Sequence, residues 1–194
     1  MIDLAQIEGA TPLGPDDLRG LKQSSITTQG DLNLAEEANI LAALTWTRRR
    51  RRASLLTRDF LLDLHRRMFG DVWDWAGQWR RRETNIGVAP STVPMRTEAL
   101  LQDAAYWVAN TTYQPDELAI RFHHQLVLIH PFPNGNGRHS RLMADLLAEQ
   151  LAQLPFSWGG MSLVEAGDTR RAYIDALRHA DRGDIAPLLG FARA

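Results

Sequence analysis

Residues His130 to Arg141 read HPFPNGNGRHSR, and an apolar run of helical period lies on either side of them. Upstream, Leu118, Phe122, Leu126 and Ile129 share one face of a segment that Pro115 opens and Pro131 stops. Downstream, Leu142, Met143, Leu146 and Leu147 cluster on one face of a helix from about Arg138 to Leu151, interrupted a turn later by Gln150. Two helices that both need cover, joined by a glycine-rich corner, constrain the chain to a helical bundle with the corner near its centre.

The corner carries chemistry as well as a turn. Gly135 and Gly137 permit positive φ and close approach of a ligand. Successive backbone N–H groups there can form an anion nest, and the positive end of the next helix points at the same spot. Arg138 and Arg141 are three residues apart and share a helix face, and a guanidinium donates two bonds at once to a phosphate. His130 stands across the loop with an ordinary pKa suited to taking a proton from a hydroxyl. A plain αα-corner with surface arginines and a capping histidine is the simpler alternative. A base, a nest and two phased arginines within twelve residues favour a polyphosphate cradle.

The remaining pattern predicts an all-α chain with one small β element. Residues 1–32 form an irregular N-terminal arm, rich in Gly, Pro, Ser, Thr and Asp. Asn33 is the expected cap of a helix over about 34–49, with Glu36 at the capping-box position and Leu34, Ala38, Leu41 and Leu44 at helical spacing. Residues 33–56 thus form a helix and linker ahead of a main domain over 57–194. Thr57 caps the next helix, with Phe60, Leu61, Leu64 and Met68 on one face and Gly70 as its stop. The Trp- and Gly-rich stretch that follows predicts a short hairpin or flap over roughly 79–95, then a helix from Thr97 to about 109. Asp168 caps a further helix, and a short one follows from about 184.

Composition narrows the function classes. With 194 residues and 44% hydrophobic content the chain can bury a sizeable core. A net charge of −1 argues against a nucleic-acid partner, although Arg48 to Arg52 form an unbroken basic run. The absence of cysteine excludes disulfides, thiol catalysis and cysteine zinc sites. No leader pattern opens the chain and no apolar run suits a bilayer, so it reads as soluble and cytoplasmic, without a membrane partner.

The HPFPNGNGRHSR stretch resembles the signature of the Fic (Fido-domain) family, HPFx[D/E]GNGRxxR, at every fixed position but one. MFGDVWDWAGQWR, NIGVAPSTVP and RFHHQLVLIHPF resemble the family's lead-in, and the whole chain is similar to the subgroup called mobile mystery protein B. The resemblance implies transfer of AMP from ATP to a Ser, Thr or Tyr hydroxyl of a protein target. It implies His130 as general base, Phe132 as loop anchor, and Asn136 with the amides of Gly135 and Gly137 on the α and β phosphates. Arg138 would meet the β phosphate and Arg141 the γ phosphate. A flap including Ile86, Gly87, Val88 and Val93 would align the target by main-chain pairing. The departure is Asn134, where the family usually carries an acid that binds Mg²⁺. An amide oxygen can coordinate Mg²⁺ or Mn²⁺ but brings no charge, so the ion would bind mainly through the nucleotide. The subgroup's name also implies a toxin-like role beside a neighbouring regulator protein.

Many family members resemble one another in an inhibitory helix, [S/T]xxxE[G/N]. NLAEEAN is an imperfect match that makes Glu37 the inhibitory candidate, paired with Arg141. The alternative is a capped helix whose Glu36 and Glu37 stabilise its positive end. Two further readings of the whole chain stand beside AMP transfer: transfer of another phosphate-containing group, and nucleotide binding with little catalysis. His123 and His124 are adjacent and diverge on a helix, which argues against zinc; His65 reads as structural and His139 as lining the site mouth. Of Trp73, Trp75 and Trp79, at least two are expected in the core.

Overall fold

The computed structural model describes residues 11–49, 55–160 and 167–194. Arg50 to Arg52 of the basic run lie outside them; Arg48 and Arg49 end a helix, where cations meet the negative pole of its dipole. The described helices are α1 (Pro15–Arg19), α2 (Gln29–Arg49), α3 (Arg58–Phe69), α4 (Val93–Asn110), α5 (Pro115–Ile129), α6 (Asn136–Gln150), α7 (Asp168–Asp181) and α8 (Ala186–Arg193). The fold is all-α. No strand ladder occurs among the described residues; an isolated antiparallel β-bridge pairs Leu21 with Trp73.

Helices α5 and α6 pack along each other at the centre, flanked by α3, α4 and α8, with α2 laid on α3 and α7 on α8. The expected faces go inward: Leu118, Phe122, Leu126 and Ile129 of α5 and Met143 and Leu147 of α6 are buried, while Leu142 and Leu146 are half-buried. Thr57 caps α3 by accepting from the Phe60 N–H at 3.3 Å, and Phe60, Leu61, Leu64 and Met68 are buried. Arg193 makes a bidentate pair with Asp116, tying the C-terminal helix to the start of α5.

Three local expectations need correction. Helix α2 starts at Gln29, not Leu34: Thr28 Oγ1 accepts from the Asp31 N–H at 3.1 Å while the Asp31 carboxylate accepts from the Thr28 N–H at 3.0 Å, a reciprocal cap earlier than Asn33. The face it buries carries Leu32, Glu36, Asn39 and Ala43, and Leu34 and Leu41 are left 69% and 58% exposed. Polar contacts outweigh apolar pattern here, since the Asn39 amide donates to the Arg67 carbonyl at 3.0 Å and accepts from the Asp71 N–H at 2.9 Å. Third, no hairpin forms over 79–95; residues 80–89 are an irregular loop, and Val93 is a fully buried residue in the first turn of α4.

The centre of the bundle holds neutral imidazoles. Burial pushes His123 and His139 down from 6.5 to about 3, and His65 well below its usual value. His65 Nδ1 accepts from the Gly77 N–H at 2.9 Å, so its Nε2 donates to the Asn134 carbonyl at 3.1 Å. His139, expected at the site mouth, is fully buried and its Nε2 donates to the Leu61 carbonyl at 3.0 Å. Below pH 6.5 the unfolded chain takes up protons that these folded imidazoles refuse until about pH 3. Stability is therefore complete above that range and falls as pH drops through it, by on the order of 1 kcal/mol per pH unit per histidine. The urea midpoint is expected to drop steeply between pH 6.5 and about 4.5, and His139→Gln, which keeps a donor, should flatten the slope.

Candidate functional site

His130 ends α5 in a left-handed conformation, φ 54 and ψ 63. A non-glycine residue holds such a geometry only when its surroundings fix it. Arg80, 2% exposed, does the fixing. Its Nε donates to the His130 carbonyl at 2.6 Å, its Nη1 to the Arg82 carbonyl at 2.9 Å, and its Nη2 to the Val88 and Ile129 carbonyls. Burial pushes the Arg80 pKa down from its ordinary value, and Glu83 opposes that shift. The same guanidinium explains the missing hairpin, because it takes the Arg82 and Val88 carbonyls that cross-strand pairing would use. The loop is joined to the corner instead, by Arg80 N–H to Pro131 O at 2.9 Å and Val88 N–H to Ile129 O at 3.4 Å. Gly87, at φ 116, permits this approach: a Cβ there would stand 2.7 Å from both Arg80 Nη2 and the His130 Cβ. Val88 is half-buried beneath it, and Ile86 points outward at 43% exposure.

The corner itself is closed by its own side chains. Asn136 accepts from the Phe132 N–H at 2.9 Å and donates to the Phe132 carbonyl at 2.8 Å. Its side-chain amide is thus engaged inside the loop, where a phosphate contact was expected. Phe132 is fully buried, stacked on His65 with centroids 3.6 Å apart and edge-on to His139. Asn134 Oδ1 accepts from the Gly135 N–H at 2.6 Å, so that amide too is occupied. Gly135 sits at φ 77, and a Cβ would fall 2.6 Å from the Phe69 ring. Gly137 is helical, not left-handed, because α6 begins at Asn136, two residues before the expected start. The first N–H that bonds back is that of His139, to Gly135 O at 2.9 Å. The N–H groups of Asn136, Gly137 and Arg138 form the free first turn of the helix.

The charged groups sort differently from expectation. Arg138 Nη1 donates to Glu36 Oε2 at 2.6 Å, and the Trp73 indole N–H holds Glu36 Oε1 at 2.7 Å. Glu37 is exposed and makes no such contact: the earlier start and phase of α2 turn Glu36 inward and Glu37 out. Arg141 lies over the Tyr173 ring, 5.5 Å from its centroid, away from the acids of α2. Trp73 is buried and stacks on half-buried Trp75. His123 bonds Tyr173 and His124 bonds Asp181, in different directions. No group of three or more His, Asp or Glu side chains among the described residues is arranged to hold a metal ion.

His130 is buried with its Nε2 2.7 Å from Thr11 Oγ1. Burial lowers its pKa to about 4; the Val127 carbonyl opposes the drop, and Arg80 and Arg82 add to it. Nδ1 has no hydrogen-bond partner. In the tautomer with the ring proton on Nδ1, Nε2 accepts and the Thr11 hydroxyl donates. Cavities of ≈ 220 and ≈ 480 Å³ lie beside α2, lined by no residue of His130–Arg141, and the space over the corner is taken by Thr11 and Glu36. Sequence reasoning gives no role to Arg80 or Thr11 and only a helix-capping one to Glu36. Arg80 ends the family-like MFGDVWDWAGQWR and Thr11 lies in EGATPL, which is similar to the same subgroup, but neither stretch assigns its residue a task.

Residues 55–148 fit the sequence model of the Fic/DOC family, and the chain carries a Fic/DOC family domain. It is 30% identical over 137 residues to the protein adenylyltransferase fic-1 of Caenorhabditis elegans, covering 69% of this chain and 26% of that protein. The chain thus spans about a quarter of the length of the curated relatives it matches. Its fold resembles the N-terminal Fic domain of Bep8 from Bartonella sp. 1-1C, with TM-score 0.71, 19% identity and 90% of each chain covered. It also resembles BepC of Bartonella tribocorum with bound AMPPNP, with TM-score 0.69, 16% identity, and 93% of this chain and 97% of that one covered. The described helices include none long and apolar enough to cross a membrane.

The two glycines of the corner should separate stability from ligand approach. Gly135→Ala meets both a left-handed φ and the Phe69 ring, and is expected to cost about 2–4 kcal/mol in urea unfolding. Gly137→Ala meets only Arg141 Nη1, at 3.6 Å, and should be neutral or stabilising by up to about 1 kcal/mol.

Proposed function

We propose that this protein moves AMP from ATP to a Ser, Thr or Tyr hydroxyl of a protein, with His130 as the general base. The observation that carries the reading is the hydroxyl bonded to His130 Nε2 at 2.7 Å, beside the free first turn of α6. The imidazole is neutral above about pH 4 and can accept a proton, as a weaker base than an exposed histidine. The hydroxyl oxygen attacks the α-phosphorus as pyrophosphate leaves, and the amides of Asn136, Gly137 and Arg138 stabilise the charge on the transferring group. Arg138 and Arg141 serve the outer phosphates. The family relatives support this reading: one curated relative is a protein adenylyltransferase, and one solved relative holds an ATP analogue. The outward main chain around Ile86 and Gly87 is the edge that would align a target segment.

Asn134 suits a metal poorly. It is uncharged, its oxygen already accepts from Gly135, and no carboxylate cluster among the described residues backs it. Mg²⁺ or Mn²⁺ therefore comes with the nucleotide as part of the donor, and Asn134→Asp should lower the ion concentration needed for half-maximal transfer.

The Glu36–Arg138 pair is a brake in this reading. An arginine bonded to a buried carboxylate, itself held by Trp73, is not free to bind phosphate. Glu36→Gly is expected to tighten ATP binding about tenfold in calorimetry and to raise AMP incorporation. His130→Ala should bind ATP and transfer nothing. Intact-mass measurement after incubation with ATP and Mg²⁺ or Mn²⁺ reads both. ATP turnover without AMP incorporation in the Glu36→Gly protein, with hydroxyl-bearing protein targets present, would overturn the transferase.

A further inference from the structure

We propose that Thr11 is an acceptor of the protein's own transfer reaction, held in the target position by the N-terminal arm. The inference rests on the AMP-transfer reading above and adds its first substrate, a hydroxyl of the same chain. Thr11 is 119 residues from His130 in sequence, yet its Oγ1 is the group that meets Nε2 at 2.7 Å. A residue that merely covered the site would need no hydroxyl on the base.

The arm is held there by contacts along its main chain. Asn134 Nδ2 donates to the Thr11 carbonyl at 3.1 Å, and Arg82 Nη2 donates to the Pro12 carbonyl at 2.6 Å. Arg82 is itself fixed by Asp17 of α1, and Asp17 also accepts from the Gly14 N–H at 2.8 Å. Leu13 packs on the core and the Leu21–Trp73 bridge fastens the chain after α1. These contacts account for Asn134 in a new way. A carboxylate at that position would have no N–H to offer the Thr11 carbonyl, so the amide that weakens metal binding is the one that secures the arm.

The step balances without any further reactant than ATP. Thr11 Oγ forms a bond to the α-phosphorus while the bond from that phosphorus to the oxygen bridging the β-phosphate breaks. The hydroxyl proton passes to His130 Nε2, and pyrophosphate leaves with the electron pair. The product is a phosphodiester that joins the Thr11 oxygen to the 5′ oxygen of adenosine. Because base and hydroxyl are already in contact, the attack is intramolecular and gains the advantage of a held nucleophile.

The test uses the full chain carrying Glu36→Gly, incubated with ATP and Mg²⁺ or Mn²⁺, digested and mapped by mass spectrometry. The expected result is an AMP adduct on Thr11, formed at a rate independent of protein concentration over about a tenfold range. Thr11→Ser should keep the adduct at that position. Thr11→Val should lower total self-modification by at least about tenfold, and its urea midpoint reports whether the fold is intact. Adducts on other hydroxyls, formed equally fast in Thr11→Val and lost in His130→Ala, would leave AMP transfer standing and remove Thr11 as acceptor. A Thr11 adduct whose rate rises with protein concentration would overturn the intramolecular assignment. ATP binding with no adduct on the chain or on added protein would sink the transferase reading, and this inference with it.

Discussion

Arg80 donates to the carbonyls of His130, Arg82, Val88 and Ile129 from a position almost closed to solvent. A buried guanidinium is costly unless its donors are answered, and here backbone carbonyls answer them. The consequence is geometric. His130 is kept left-handed at the end of α5, and the loop over 80–89 is drawn onto the corner, not folded into a hairpin. Removing that one cation would take a donor from each of four carbonyls, of which Ile129 O alone keeps the Val88 N–H, and would leave the candidate base without a fixed direction.

Around this clamp the corner is built from paired roles. Phe132 anchors by stacking on His65, and Asn136 locks the Phe132 peptide from both sides. His65 reaches the Asn134 carbonyl, while Asn134 turns its side chain to Gly135 and to the arm. Each group that fixes the loop removes a polar atom from contention for a ligand. What is left without a protein partner is a first helical turn of free amides, while Glu36 holds Arg138 and Thr11 meets His130 Nε2. That economy explains why buried neutral histidines are tolerated so near the site: they rigidify it at the expense of stability in acid.

Two contacts close the corner: Glu36 holds Arg138, and Thr11 meets His130. Both come from the N-terminal part of the chain, outside the 55–148 segment that fits the family model. The candidate site is therefore covered by residues that the matched segment does not itself contain.

Much of the centre was legible from sequence because its determinants are local. Pro115 and Pro131 bound α5, Thr57 and Gly70 bound α3, and apolar spacing predicted which faces go inward. The twelve residues from His130 to Arg141 marked the corner between α5 and α6 as the candidate site, because glycines, a helix start and phased arginines are all near neighbours in the chain. Tertiary structure decided what periodicity could not. Helix α2 buries Glu36 and Asn39 and exposes Leu34 and Leu41, since its inner face meets Arg138, Trp73 and Asp71, far away in sequence. That inversion puts Glu36, not Glu37, against a motif arginine, and the arginine is Arg138, not Arg141. The flap followed Arg80, whose four acceptors no spacing rule relates. The meeting of Thr11 with His130 spans 119 residues, so only the folded chain brings that hydroxyl to that base.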